Sequence, residues 1–305
     1  VPGSRLLAID ATTRTALVRA LLDWCRDSKL SSMHLLFGSD EDLDACTAAG
    51  LMLRHTVQFH WTNSAPTLAA SRAALPPEGA HFALGRPGGD TGASARPLLG
   101  FDDFLATLNQ DKRKKIRQER RKVAQAGVSF RWYRGRGISA EDWDLFYRCY
   151  EQTYLEHGNP PYLSRDFFAR MAGTLPENWL LFVAQREGRS IATSLIAISA
   201  ESESPRVAYG RYWGALERVD CLHFEACYYQ PLQWCIEHGY QRFEGGAQGE
   251  HKMARALLPV MASSAHWLAH PAFSSAVERF LDREGAGVEN YLSDLSQHSP
   301  LRRPD

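Results

Sequence analysis

Residues 206–244 read RVAYGRYWGALERVDCLHFEACYYQPLQWCIEHGYQRFE, and their reading decides the fold. The first eight residues are rich in aromatic and β-branched types, the composition of a strand. A helix is predicted over 223–238, with Gly239 as its stop signal, and a short strand over 242–244 follows. Pro231 falls inside that helix, where it costs about 3 kcal/mol if truly interior. The helix must therefore kink there or restart at Pro231. Upstream lie strands over 180–185 and 190–198, joined as a hairpin by the turn Glu187-Gly188. Further back come a strand over 128–133 and helices over 140–157 and 164–174, separated by Asn159-Pro160-Pro161. Downstream the Gly-rich turn GGAQGE (245–250) leads to a short helix over 251–257, a strand over 259–269 and a helix over 272–297. Residues 128–270 thus spell β-α-α-β-β-β-α-β-α-β. That order predicts an α/β fold with a mixed sheet and helices on both faces.

The opening residues spell α-β-α-β. A helix over 12–27 places Leu17, Leu21 and Trp24 on one face. A strand over 33–37, an acidic helix over 40–49 ended by Gly50, and a strand over 51–61 complete the segment. Its likeness to part of the later pattern predicts two related lobes, the first incomplete. The expected division is a partial N-terminal lobe over 1–63, a flexible insertion over 64–99 rich in Ala, Gly, Pro and Ser, and a C-terminal lobe over 100–305. Residues 101–126 are expected to form one long helix, capped by Asp102 or Asp103 and stopped by Gly127, with Leu105, Leu108, Ile116 and Val123 on one face. His60-Trp61 and His266-Trp267 close strands in the two halves.

The 305 residues are 44% hydrophobic and 23% charged, which predicts a packed core. Lys+Arg and Asp+Glu are both 35, so net charge points to no partner. Six cysteines without a C-x-x-C pair are expected to be reduced thiols of a cytoplasmic protein. No apolar run approaches ~18 residues, and the N-terminus lacks a charged-then-apolar signal pattern. The chain opens on valine, so its native start is expected upstream.

Three clusters could carry chemistry. The first spans 209–229 and contains Arg211, Tyr212, Trp213, His223, Glu225, Tyr228 and Tyr229. His223, at a helix start, is expected to be neutral beside the positive dipole end and so able to accept a proton from an amine. The backbone N–H groups there could hold a phosphate or an oxyanion. The second is EGGAQGEHKMAR (244–255), where glycines permit close backbone approach and Glu244, Gln248, Glu250, His251, Lys252 and Arg255 crowd a turn and a helix start. The third is a charge run. Lys112, Arg113, Lys114, Lys115, Arg117, Arg120, Arg121 and Lys122 against Asp111 and Glu119 give +8 − 2 = +6 on one helix. Such a helix can attract a polyanion, though charge runs are often only solvated faces.

The strings FDDFLATLNQDKRKKIRQER (101–120), PYLSRDFF (161–168), YGRYWG (209–214), LHFEACYYQ (222–230), EGGAQGEHKMAR (244–255) and SSAHW (263–267) resemble the FemAB-like family of N-acyltransferases. That family belongs to the GNAT acetyltransferase superfamily and is described in terms of peptidoglycan biosynthesis or recognition. The resemblance implies tandem acetyltransferase-like lobes and transfer of an acyl or aminoacyl group from an acyl-CoA or aminoacyl-tRNA donor to a primary amine. It implies no metal. By motif position it makes Glu225, His223, Glu250 and His251 the catalytic candidates, with Glu244 in the same role or binding substrate. Coenzyme A-dependent relatives carry a glycine-containing phosphate loop, where this chain has RVDCLHF (218–224). That departure favours the tRNA-borne donor, which the basic helix would fit. Rival readings are a non-catalytic binder of nucleic acid or cell-wall precursor and, further off, a metal hydrolase using His223, Cys227 and His251.

Overall fold

A computed structural model describes residues 2–64, 96–247 and 249–302. Most of the expected insertion, and Gln248, lie outside the described residues. The chain divides into two compact units. One holds residues up to 59 and 258–299; the other holds residues 60–64, 96–257 and 300–302. The segment 258–299, expected with the C-terminal lobe, thus falls in the first unit.

In the first unit, helices α1 (Ala11–Asp27) and α2 (Asp40–Ala48) flank strands β1 (Ser32–Leu35) and β2 (Met52–Thr62). The side chains of Asp10 and Ser39 cap the two helices by accepting from Thr13 N and Asp42 N. The buried stripe of α1 is Val18, Leu22 and Cys25, one position on from the expected Leu17, Leu21 and Trp24. Trp24 is 59% exposed, while Leu21 packs at the edge of the core. The two stripes adjoin on the helix, so the buried face is rotated by about 100° from the expected one.

The second unit supplies most of the sheet and is where the sequence pattern is most faithful. Its elements are α3 (Phe101–Ala106), α4 (Gln110–Gln125), β3 (Val128–Arg134), α5 (Ala140–Glu156), α6 (Arg165–Thr174), β4 (Trp179–Arg186), β5 (Arg189–Ile198) and β6 (Val207–Ala215). A helix α7 (222–237), the strand β7 (Arg242–Glu244) and a 3₁₀ helix (Glu250–Arg255) complete it. The strand β8 (Leu258–Leu268) and the helix α8 (Pro271–Gln297) return to the first unit. Strand order is β1-β8-β2 in the first unit and β2-β7-β6-β5-β4-β3 in the second. β3 with β4, β4 with β5 and β5 with β6 pair antiparallel, whereas β6 and β7 are parallel. The sheet is therefore mixed, as expected. The apolar run Leu180–Ala184 is wholly buried, the signature of a strand covered on both faces. Leu181 and Val183 pack under α5 and α6, with Phe146, Tyr150 and Phe168. Ala184 faces the other way, against Val123 of α4 and Leu222 of α7. Among the described residues no helix is long and apolar enough to cross a membrane.

Two expectations need correction, and one open alternative is decided. The single helix over 101–126 is broken: α3 ends at Ala106, and Asn109 starts α4 by accepting from Lys112 N at 3.0 Å. A side-chain amide that competes for backbone donors favours such a restart. Neither Asp102 nor Asp103 caps α3. Gly100 holds that position, while Asp103 pairs with Arg96 and accepts from Leu99 N. The Pro231 alternatives resolve as a restart: α7 runs as Leu222–Phe224, a π-turn over Glu225–Tyr229, and Gln230–Glu237 with Pro231 in the first turn of the resumed α-helix. There the missing N–H of Pro231 costs little.

Gly214 of β6 marks where α5 lies closest to the sheet. A Cβ added to it would fall 1.9 Å from Cys149 O and 2.9 Å from Thr153 Oγ1. Gly214→Ala is therefore expected to lower stability by roughly 1–3 kcal/mol, as overpacking does. Gly285→Ala in α8, where an added Cβ would meet nothing within 4 Å beyond the backbone of its own helix turn and its chain neighbours, should be neutral or stabilising by up to about 1 kcal/mol. Urea unfolding of the two variants checks this, and equal midpoints would contradict it.

Candidate functional site

The parallel pairing of β6 with β7 lasts three residues, Val207–Tyr209 against Arg242–Glu244. Beyond it the strands part. β6 bulges at Arg211, because Leu195 pairs with Tyr212 while Ile196 pairs with Gly210. β7 ends in Gly245-Gly246, with Gly246 at φ 78°, a conformation glycine adopts without strain. Helix α7 begins at this fork. A cavity of about 150 Å³ sits in it, lined by Ser194, Gly210, Arg211, Tyr212, Trp213, His223, Cys227, Tyr228, Phe243, Gly245 and Lys252, with Ile196 at its wall. Gly210 lets the two strands close on the Phe243 ring: an added Cβ would press to 3.1 Å from Phe243 Cζ.

Two of the three sequence clusters do meet here. Tyr228 Oη lies 3.2 Å from His251 Nε2, and the His223 and His251 rings are 6.4 Å apart. His223 stacks edge-on against Trp213 and Tyr228. Burial, then His251, Arg255 and Lys252, pull its imidazole down to about 4. The direction agrees with the neutral ring expected from the sequence, and its causes here are desolvation first and neighbouring charged groups second. Lys252, 8% exposed, donates from Nζ to Gly245 O at 2.6 Å, and burial lowers its ammonium below the usual value. Burial pushes the Cys227 thiol up to about 12, which leaves it protonated and unreactive. Among the described residues no three metal-ligating side chains group together.

The other candidates lie elsewhere. Glu225 projects from the opposite side of α7, away from His223. Its carboxylate accepts from Arg120 Nε at 3.1 Å and from Gln230 Nε2 at 2.7 Å. Two residues apart on a helix means about 200° apart around it, so the two could not share one cavity. Tyr229 is fully buried and donates from its hydroxyl to Glu119. Arg255 is 2% exposed, pairs with Glu119 at 2.9 Å, donates to His251 O at 2.7 Å and stacks 3.6 Å over Phe224. Both residues hold the site from behind. Glu244 faces away from the cavity: it lies opposite His60, 3.9 Å from its Nε2, and 3.0 Å from Arg242 Nε. Glu250 is exposed at the start of the 3₁₀ helix, and His251 reaches the cavity through Tyr228. Gln248 lies outside the described residues.

The basic run covers α4. Lys114, Lys115, Arg117, Arg121 and Lys122 are exposed and Lys112 and Arg113 half-buried. Arg120 is taken by Glu225 and Gln233, and Glu119 turns inward to Arg255. A second, wider cavity of about 540 Å³ opens between this helix, Phe101, Phe130 and Glu225. Sequence reasoning missed Ser194, Gly210, Phe243 and Phe130. For Gly210 a signal existed, a glycine inside a strand marking a bulge or a close approach.

A family profile described as peptidoglycan biosynthesis/recognition, FemAB-like, matches residues 1–67 and 94–303. Among solved structures, L-PGS from Bacillus licheniformis is similar with a TM-score of 0.56 at 11% identity, over 88% of this chain and 78% of that one. The C-terminal domain of a protein assigned as a lysylphosphatidylglycerol synthetase from Agrobacterium fabrum gives 0.55 at 12%, over 90% and 78%. FemX gives 0.53 at 11%, over 90% and 82%. At these identities the likeness is one of fold.

Two outcomes are expected from this geometry. His223 titrates near 4 in the fold against 6.5 when unfolded. The unfolded chain therefore takes the proton first, and stability complete above pH ~6.5 is lost as pH falls toward 4. His223→Asn should flatten that loss by about 3 kcal/mol, measured as urea midpoints of both proteins across the range; parallel curves would contradict it. Arg255→Ala should cost about 3–5 kcal/mol by stranding Glu119, and Glu119→Gln in the same background should recover part. If the double variant is no more stable than Arg255→Ala, Glu119 was not the stranded charge.

Proposed function

Because the chain belongs to the FemAB-like family, we propose that it is an aminoacyltransferase, moving an aminoacyl group from tRNA to a primary amine of a cell-wall precursor or small metabolite. The observation that carries this reading is the cavity at the β6/β7 fork, where a neutral imidazole and a buried ammonium face the same small space. The likeness in fold to FemX and to a protein assigned as a lysylphosphatidylglycerol synthetase supports the aminoacyl donor over acyl-CoA. So does a helix start, 218–224, without a glycine for the pyrophosphate of coenzyme A. We keep the tandem acetyltransferase-like lobes within this reading. We place the amine-handling chemistry in the second unit, where all these residues lie.

The chemistry runs as follows. The amine nitrogen attacks the ester carbonyl carbon. His223 accepts the proton that the nitrogen loses as the C–N bond forms. Lys252 faces the oxygen on which negative charge develops, a preorganised cation at the cavity wall. The C–O bond to the ribose then breaks, and the proton on His223 passes to the departing ribose oxygen. Tyr228 bridges the cavity to His251. Arg211, Tyr212 and Trp213 form the wall against which the acceptor rests. Glu225, committed to Arg120 and Gln230, is not the base in this scheme; nor does Glu250 enter it.

His223→Gln should lower turnover by about 10²–10⁴-fold with little change in donor affinity, as removal of a general base does. Glu225→Gln should spare turnover and alter donor binding instead. Mass spectrometry of an amine acceptor incubated with aminoacyl-tRNA reads both. Full activity in His223→Gln would contradict the assignment, and salt-sensitive tRNA binding without product would favour a non-catalytic binder.

A further inference from the structure

We propose that the wide cavity beside α4 is a second binding site, built to hold the single-stranded end of a polynucleotide. The proposal deepens the reading above, since it names where the RNA of the donor lies.

The cavity holds about 540 Å³, within the range of sites that enclose a nucleotide-sized ligand. Its floor is apolar, with Leu105, Val123 and Val128. Its walls carry the partly exposed rings of Phe101 and Phe130. Its rim carries Arg117 and Arg121, which stand one helical turn apart on the exposed face of α4. Cationic rim, aromatic wall and apolar floor together are what a nucleic-acid strand requires: phosphates on guanidinium groups, bases on π-faces.

Pairing inside the site sharpens the assignment. Arg120 lies 4.4 Å over the Phe101 ring and is held by Glu225 and Gln233. Its charge is balanced, and its role is to fix the aromatic wall. Arg117 has only a 3.9 Å contact to Asp102, itself 94% exposed, a pair of negligible strength in water. Arg117 and Arg121 are therefore the groups available to an anion, and both sit where a strand following the groove would place consecutive phosphates. A free mononucleotide would use one of them. A strand uses both, and continues onto Lys114, one turn further along the same helix.

Fluorescence anisotropy of a short labelled single-stranded RNA, titrated with the full chain across a range of salt, tests this. Arg117→Glu/Arg121→Glu should weaken binding at least about tenfold and reduce the slope of log affinity against log salt by roughly 1.4, about 0.7 for each lost phosphate contact. Arg165→Glu/Arg170→Glu on α6 makes the same change in net charge away from the groove, and should leave the affinity within about twofold. Equal weakening by both pairs would overturn the proposal, as would absence of binding by the unaltered chain. So would complete competition by a mononucleotide at the same affinity as the strand. The fate of the proposed reaction is read separately. If the groove variants keep strand binding while His223→Gln abolishes transfer, the groove assignment fails and the transferase stands. If they lose binding but no transfer occurs with any acceptor, the groove stands alone.

Discussion

The site depends on one constraint: β6 and β7 are parallel for only three residues and then must part. Parallel strands need a crossover, and here the crossover is α7. Three features force the strands apart at the helix start. Arg211 is an extra residue in β6, Gly210 admits the Phe243 ring, and Gly245-Gly246 turns the chain out of the sheet. The opening so created exposes no long sheet edge, because aromatic side chains and Lys252 close around it. What is left is a small desolvated space. Desolvation is what makes His223 neutral and what weakens the hold of Lys252 on its proton.

A second tie keeps the arrangement together. Glu119 is buried on the inner face of a helix whose outer face is almost entirely cationic. It receives the Tyr229 hydroxyl from the π-turn of α7 and the Arg255 guanidinium from the 3₁₀ helix. Arg255 in turn donates to His251 O and stacks on Phe224. One carboxylate thus gathers α4, α7 and the 3₁₀ helix around a common point. Buried ion pairs contribute little net stability, but they penalise every arrangement that breaks them. The π-turn is part of the same device. It sets Glu225 toward α4 and Tyr228 toward His251, and it ends where Pro231 needs no donor.

Much of this was legible in the chain. The strand, helix and strand order of the second unit follows from apolar runs, Gly stops and the Glu187-Gly188 turn, all local signals. The meeting of 209–229 with 244–255 was legible too, because both segments sit at ends of neighbouring strands. What was not legible is which way side chains point. Glu225 and His223 look equivalent in a string of letters, yet two residues on a helix separate them into different cavities. Arg255 and Tyr229 look like ligand contacts, and burial makes them supports. The break at Asn109 was hidden because the apolar face of 101–126 continues through it, from Leu105 and Leu108 to Ile116 and Val123, all buried.

Amine chemistry at the fork requires a neutral, desolvated His223 facing the cavity it shares with Lys252. The most direct measurement is a nuclear magnetic resonance titration of its imidazole in the folded chain. The account expects a ring that stays neutral through the physiological range and protonates only near 4. A midpoint at the ordinary value of about 6.5 would place the ring in water, outside the fork, and would contradict it.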